Sequence, residues 1–193
     1  MNGQNYKRTD FSLYNNRKMK LQCSFWVPYD EERICARLPV VIHLPGNSLS
    51  RCDPLPLLGF LLPMNISVFA FVFCGSGRSN GDFISLGYYE KDDVLTVLNY
   101  LKYSNKVSTI GLWGRSMSGV TAILCAKELD TKNIISCVVS DSAFSSLNIL
   151  IDEFVSKVIV LPQFLIDIVK TQVGNIIEKK ANLELKKLNL LRI

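Results

Sequence analysis

The segment Gly114-Arg115-Ser116-Met117-Ser118-Gly119 joins an apolar run, TIGLW, to a helix-forming run, VTAILCAKEL. A serine at a sharp strand-to-helix junction has its hydroxyl lifted clear of the sheet, which is the placement a nucleophilic oxygen needs. The junction also gathers donors, because the first N–H groups of a helix have no acceptor in a preceding turn and carry partial positive charge. The Met117 N–H is therefore placed to stabilise an oxyanion forming beside Ser116. Gly114, Ser118 and Gly119 are small, which lets the helix pack close to the strand. A plainer reading fits the same residues: Ser116 as the N-cap of an ordinary helix.

Two further segments bear on chemistry. Pro45-Gly46-Asn47-Ser48-Leu49-Ser50-Arg51 forms a turn after the run VVIHL, and Cys74-Gly75-Ser76-Gly77-Arg78-Ser79-Asn80-Gly81-Asp82 forms a Gly-rich loop after SVFAFVF. By itself the second loop is either an anion-cradling nest or a plain connection, and no Walker lysine follows it. All three segments fall at the carboxyl ends of strand candidates, where open α/β sheets assemble their sites.

The strands that must position these loops are Leu21 to Val27, Pro39 to Leu44, Ser67 to Phe73, Ser108 to Trp113 and Ile134 to Ser140. Helical stretches lie between them at about 54–62, 88–103 and 117–129, and again after Ser145. The runs VVIHL, SVFAFVF, TIGLW and IISCVVS are almost continuously apolar, as expected of strands covered by helices on both faces. The alternation predicts an α/β class: a mostly parallel sheet flanked by helices. LQCSFWV alternates more and fits an antiparallel edge hairpin.

Composition is consistent with a single folded domain. The chain has 193 residues, 48% of them hydrophobic and 20% charged, with a net charge of +5, which excludes wholesale disorder, collagen and coiled coil. Only one histidine is present, so metal sites built on three or four imidazoles are excluded. The six cysteines show no C-x-x-C spacing and read as small buried hydrophobes in a reducing compartment. The polar N-terminus MNGQNYKRTDF has neither a signal-peptide core nor a Gly at position 2, so a cytoplasmic location is expected. The paired lysines at 179–180 and 186–187 fit a solvated helix face better than a nucleic-acid surface. Residues 147–169 are apolar but interrupted by charges and Pro162, too short in their apolar runs to span a bilayer.

The ordered segments LPVVIHLPGNSLSR, ISVFAFVFCGSGRSNGDFISLGYYEKDD, IGLWGRSMSGVTAIL and VVSDSAFSSL resemble the serine hydrolases of the α/β-hydrolase superfamily. The nearest branch is the serine-aminopeptidase-like and depalmitoylase-like group, and the similarity runs from about Tyr6 to Leu190. The resemblance implies Ser116 as nucleophile and an oxyanion hole from Gly46, Asn47 and Met117, with Gly114, Ser118 and Gly119 supporting the elbow. It implies hydrolysis of an ester, thioester or amide in a small-molecule or acylated substrate, without cofactor or metal. Residues 145–180 would form lid or cap helices of the one domain, apolar enough to favour an acyl group and to leave peripheral membrane contact open.

The chain departs from the family pattern at several positions. Pro45 stands where the family has His in H-G-N, Val72 where it has a strand-end Asp, and Ser118 where the elbow usually carries Gly. In the family's order an acid and then a His follow the nucleophile, yet the single histidine, His43, precedes Ser116. His43 is expected to be structural. Asp141 either orients a base or caps the turn S-D-S-A. A full core of this type would need about 60 further residues for two strands and a helix. Three readings follow: part of a serine hydrolase whose acid and His lie in sequence beyond these residues, a pseudohydrolase that binds a partner, or an anion-binding module using the Gly-rich loop.

Overall fold

The computed structural model describes residues 5–46, 50–128, 133–146, 149–150, 171 and 179. The chain divides into two units, residues 1–143 and 144–193, and every element traced below belongs to the first. The expected lid stretch 145–180 lies outside the described residues but for isolated positions.

The elements run β1 (Tyr6–Tyr14), β2 (Lys20–Pro28), β3 (Leu38–Leu44), α1 (Leu55–Leu61), β4 (Ser67–Phe71), α2 (Glu90–Tyr103), β5 (Val107–Arg115), α3 (Met117–Lys127) and β6 (Ile135–Asp141). They build one sheet in the order β1-β2-β4-β3-β5-β6. β1 pairs antiparallel with β2 and β2 antiparallel with β4, whereas β4, β3, β5 and β6 run parallel. This is the expected mostly parallel sheet flanked by helices, with the antiparallel hairpin at its edge.

Burial explains the sequence of each element. β4, SVFAF, is buried at every position, as a central strand covered on both faces requires. β3 alternates buried and half-buried positions, so Val40, Ile42 and Leu44 join the main core while Val41 packs on the other face against the α1 cluster of Leu58, Leu61 and Leu62. α2 buries Glu90, Asp93, Val94, Val97, Leu98 and Leu101, the i, i+3, i+4 stripe of an amphipathic helix. Its two buried acids each have partners. Glu90 accepts from the Ser85 and Gly87 N–H groups and the Ser85 hydroxyl, closing the loop before the helix. Asp93 accepts from Asn15 Nδ2 at 2.7 Å, Arg17 Nη2 at 3.1 Å and the Cys74 N–H at 2.9 Å, tying the β1–β2 turn and the Gly-rich loop to the helix.

Three expectations need correction. The expected strands begin at Leu21, yet the polar segment YKRTDFSLY is a strand too, because it pairs with β2 from Tyr6↔Pro28 to Tyr14↔Lys20. Among the described residues β6 is not covered on both faces: its side chains are largely exposed and it pairs only with β5. Cys23, Cys74 and Cys125 are buried, but Cys35, Cys52 and Cys137 are exposed, because loop placement and the open face of β6 outweigh the apolar character of their neighbours.

Candidate active site

Strand register brings three strand ends together. Leu44 at the end of β3 pairs with Gly114, and Arg115 at the end of β5 pairs with Asp141 at the end of β6. The Pro45-Gly46 turn therefore emerges beside the Arg115-Ser116 bend. Asn47, the other expected oxyanion residue of that turn, lies outside the described residues.

Ser116 is exposed and occupies the residue between β5 and α3 with φ 56° and ψ −120°. Positive φ in a non-glycine residue is uncommon and strained outside the left-handed helical well. The conformation is held from both sides: the Ser116 N–H donates to the Asp141 carbonyl at 2.8 Å and the Ser116 carbonyl accepts from the Val120 N–H at 3.1 Å. Its side chain makes no capping bond to the helix, and an N-cap would have extended φ and ψ. Met117, the first residue of α3, buries its side chain in the main core, which anchors the start of the helix directly after the bend.

The elbow's small residues have distinct reasons. A Cβ on Gly114 would lie 2.2 Å from the Ser118 carbonyl oxygen, so the bend cannot close over any larger residue. Gly119 lets α3 approach Ser140 and Ala143. Ser118 is fully buried, and its hydroxyl donates a hydrogen bond to the Pro45 carbonyl.

Asp141 is exposed; one carboxylate oxygen faces Arg115 Nε at 3.4 Å and the other accepts from the Ser142 hydroxyl at 2.7 Å. His43 sits in β3 two residues before the strand end, on the same face as Val41 and so on the α1 side, opposite the core cluster that takes in α3. No hydrogen bond joins it to Ser116 among the described residues, and its Nδ1 is buried without a partner there. Burial pushes its pKa below the usual histidine value, partly opposed by Asp53.

The Gly-rich loop closes on itself. Gly75 N–H donates to Asn80 O, Ser76 N–H to Phe73 O, Ser79 N–H to Ser76 O and Asn80 N–H to Lys20 O, while the Ser79 hydroxyl bonds Val72 O at 2.7 Å. These four amides are therefore not available to an anion. The loop braces the strand ends, and the amides of Gly75, Ser76, Ser79 and Asn80 are spent on that bracing.

Over this architecture the chain matches esterase Pf2001 of Pyrococcus furiosus at 27% identity and a TM-score of 0.67, covering 86% of this chain and 63% of that one. The chain belongs to the α/β-hydrolase superfamily. No family model matches it. In sequence this α/β-hydrolase is 33% identical over 87 residues to YqkD of Bacillus subtilis, covering 45% of this chain and 28% of that relative. It is 28% identical over 111 residues to YfhR of Escherichia coli strain K12, covering 56% of this chain and 38% of that relative. The α/β-hydrolase thus spans well under half the length of these two relatives. None of its helices, among the described residues, is long and apolar enough to cross a membrane.

Proposed function

We propose that Ser116 is the nucleophile of a serine hydrolase centre acting on an ester, thioester or amide of a small-molecule or acylated substrate. The observation that carries this reading is the exposed serine held at φ 56° and ψ −120° at the mouth of α3. Such a conformation costs about 1–3 kcal/mol and persists where the surroundings enforce it, most often at functional sites. In the proposed reaction Ser116 Oγ attacks the substrate carbonyl carbon, and the developing oxyanion accepts from the Met117 N–H and from the Gly46-Asn47 turn. Tetrahedral collapse expels the leaving group, and water then releases the acyl group from Ser116.

The proton of Ser116 needs a base. His43 faces α1, so we assign the base and its orienting acid to residues other than those described, with Asp141 retained only as a lesser candidate for the acid. Loss of a triad base lowers turnover by orders of magnitude, while oxyanion stabilisation leaves a residual rate. A second reading, a binding protein that keeps the fold without turnover, draws support from that same placement of His43 and from Pro45 in the oxyanion turn.

A fluorophosphonate probe with added free imidazole as surrogate base tests the proposal. Mass spectrometry is expected to find the adduct on Ser116, formed faster with imidazole and absent from Ser116→Ala. An equal adduct in Ser116→Ala removes Ser116 from the role. Imidazole-dependent hydrolysis of a p-nitrophenyl ester separates the two readings, since only the hydrolase reading expects a rate that Ser116→Ala abolishes.

A further inference from the structure

Ser116 stands at the carboxyl ends of the parallel strands. At their opposite ends, where Leu38 and Ser67 begin β3 and β4 and Lys106 precedes β5, a solvent-open cleft of about 390 Å³ lies between the β1–β2 hairpin and the last turn of α2. That volume is within the range of small-molecule sites, about 300–1,000 Å³.

The walls are set by register. The pairs Lys7↔Val27, Thr9↔Phe25 and Phe11↔Cys23 place Lys7, Thr9 and Phe11 on one face of the hairpin, spaced along the slot. Its floor is aromatic: Phe11, Phe25 and Tyr100 line it, Phe11 meets Tyr100 at 5.2 Å between ring centroids, and the fully buried Phe69 backs Phe11 at 5.9 Å and Phe25 at 5.6 Å. The rim is cationic. Its one acid, Asp30, is already bonded to Arg33 at 2.8 Å, and neither Lys7 nor Lys106 has an ion pair among the described residues. Two uncompensated ammonium groups over an aromatic floor form a surface that neither water nor a neutral apolar molecule complements fully.

We propose that this cleft is a second ligand site, remote from Ser116, that takes a small aromatic carboxylate with its ring on the Phe25 and Tyr100 side chains and its carboxylate between Lys7 and Lys106. The charge selects an anion, and the aromatic floor, whose rings lie tilted to one another, selects a ring over a compact inorganic ion. The site does not depend on Ser116 being a nucleophile.

Isothermal titration with 2-naphthoate, and with the neutral 2-naphthamide as its isostere, tests the site. The expected result is saturable 1:1 binding of naphthoate that weakens about two- to fivefold in Lys7→Gln and in Lys106→Gln, as for loss of one partly solvated charge contact. Binding is expected to be unchanged in Ser116→Ala and in Lys102→Gln, which lies on α2 outside the cleft. Thr9→Trp, at an exposed position, is expected to fill the slot and abolish binding while circular dichroism stays unchanged. Absence of saturable binding, equal affinity for the amide, an equal loss in Lys102→Gln, or a loss in Ser116→Ala would each overturn the proposal.

Discussion

The hydroxyl of Ser118 donates to the carbonyl oxygen of Pro45, across 73 positions of sequence. These are two of the positions at which the chain departs from the family pattern, and both residues are buried. Proline removes a backbone donor from the turn; the serine then holds that turn by its remaining acceptor. Ser118→Ala removes the partner that the Pro45 carbonyl has among the described residues and is expected to destabilise the chain by about 1–3 kcal/mol in urea unfolding. An unchanged midpoint would show that the bond does not hold the turn.

Strain at Ser116 is measurable apart from any activity. Glycine accepts φ 56° and ψ −120° without a Cβ conflict, whereas alanine inherits it. Ser116→Gly is expected to be more stable than Ser116→Ala by about 1 kcal/mol. Equal thermal midpoints for the two variants would mean that the bend is not strained.

Close approach predicts opposite outcomes at two glycines. Gly114→Ala places a methyl group 2.2 Å from the Ser118 carbonyl oxygen and is expected to cost about 1–3 kcal/mol or prevent folding. Gly59→Ala, in α1 with nothing within 4 Å of the new Cβ, is expected to stabilise by up to about 1 kcal/mol through helix propensity. Denaturant midpoints of the two variants give both signs.

Thiol reactivity should split evenly. Burial pushes the Cys23, Cys74 and Cys125 thiols up to about 12, with Asp93 adding to the effect at Cys74 and Glu128 at Cys125. Cys35, Cys52 and Cys137 are exposed. Titration with a disulfide reagent near neutral pH is expected to give three fast thiols and, after denaturation, three more. A fast reaction at Cys23, Cys74 or Cys125 would place that residue outside the core.

His43 makes stability depend on pH in a known direction. Burial lowers its folded pKa below the usual 6.5, with Asp53 opposing, so between the folded value and 6.5 the unfolded chain binds more protons. Stability from this group is present above that window and is lost as pH falls through it. His43→Gln is expected to flatten the fall in urea midpoint below about pH 6.5 relative to wild type. An identical pH profile would rule out a depressed histidine.

Several features were legible because their information is local. SVFAF reads as a buried strand from composition alone, α2 from its apolar spacing, and the bend between TIGLW and the following helix from small residues at a change of period. α3 begins at Met117, where those signals put it, while β5 runs on to Arg115, two residues past the expected Trp113, because Gly114 and Arg115 still pair with β6. Periodicity and turn chemistry need only near neighbours along the chain.

Other features depended on which strands lie side by side. The sheet inserts β4 between β2 and β3, an order no local pattern encodes. The pairing with β2 made a strand of the polar segment YKRTDFSLY, and the packing of that hairpin beside α2 put Lys7 and Tyr100 in one cleft. The Ser118 to Pro45 bond and the self-closure of the Gly-rich loop likewise join groups whose types are ordinary in isolation. Hydrogen bonding and burial at these positions are properties of pairs distant in sequence, so only the folded arrangement could assign them.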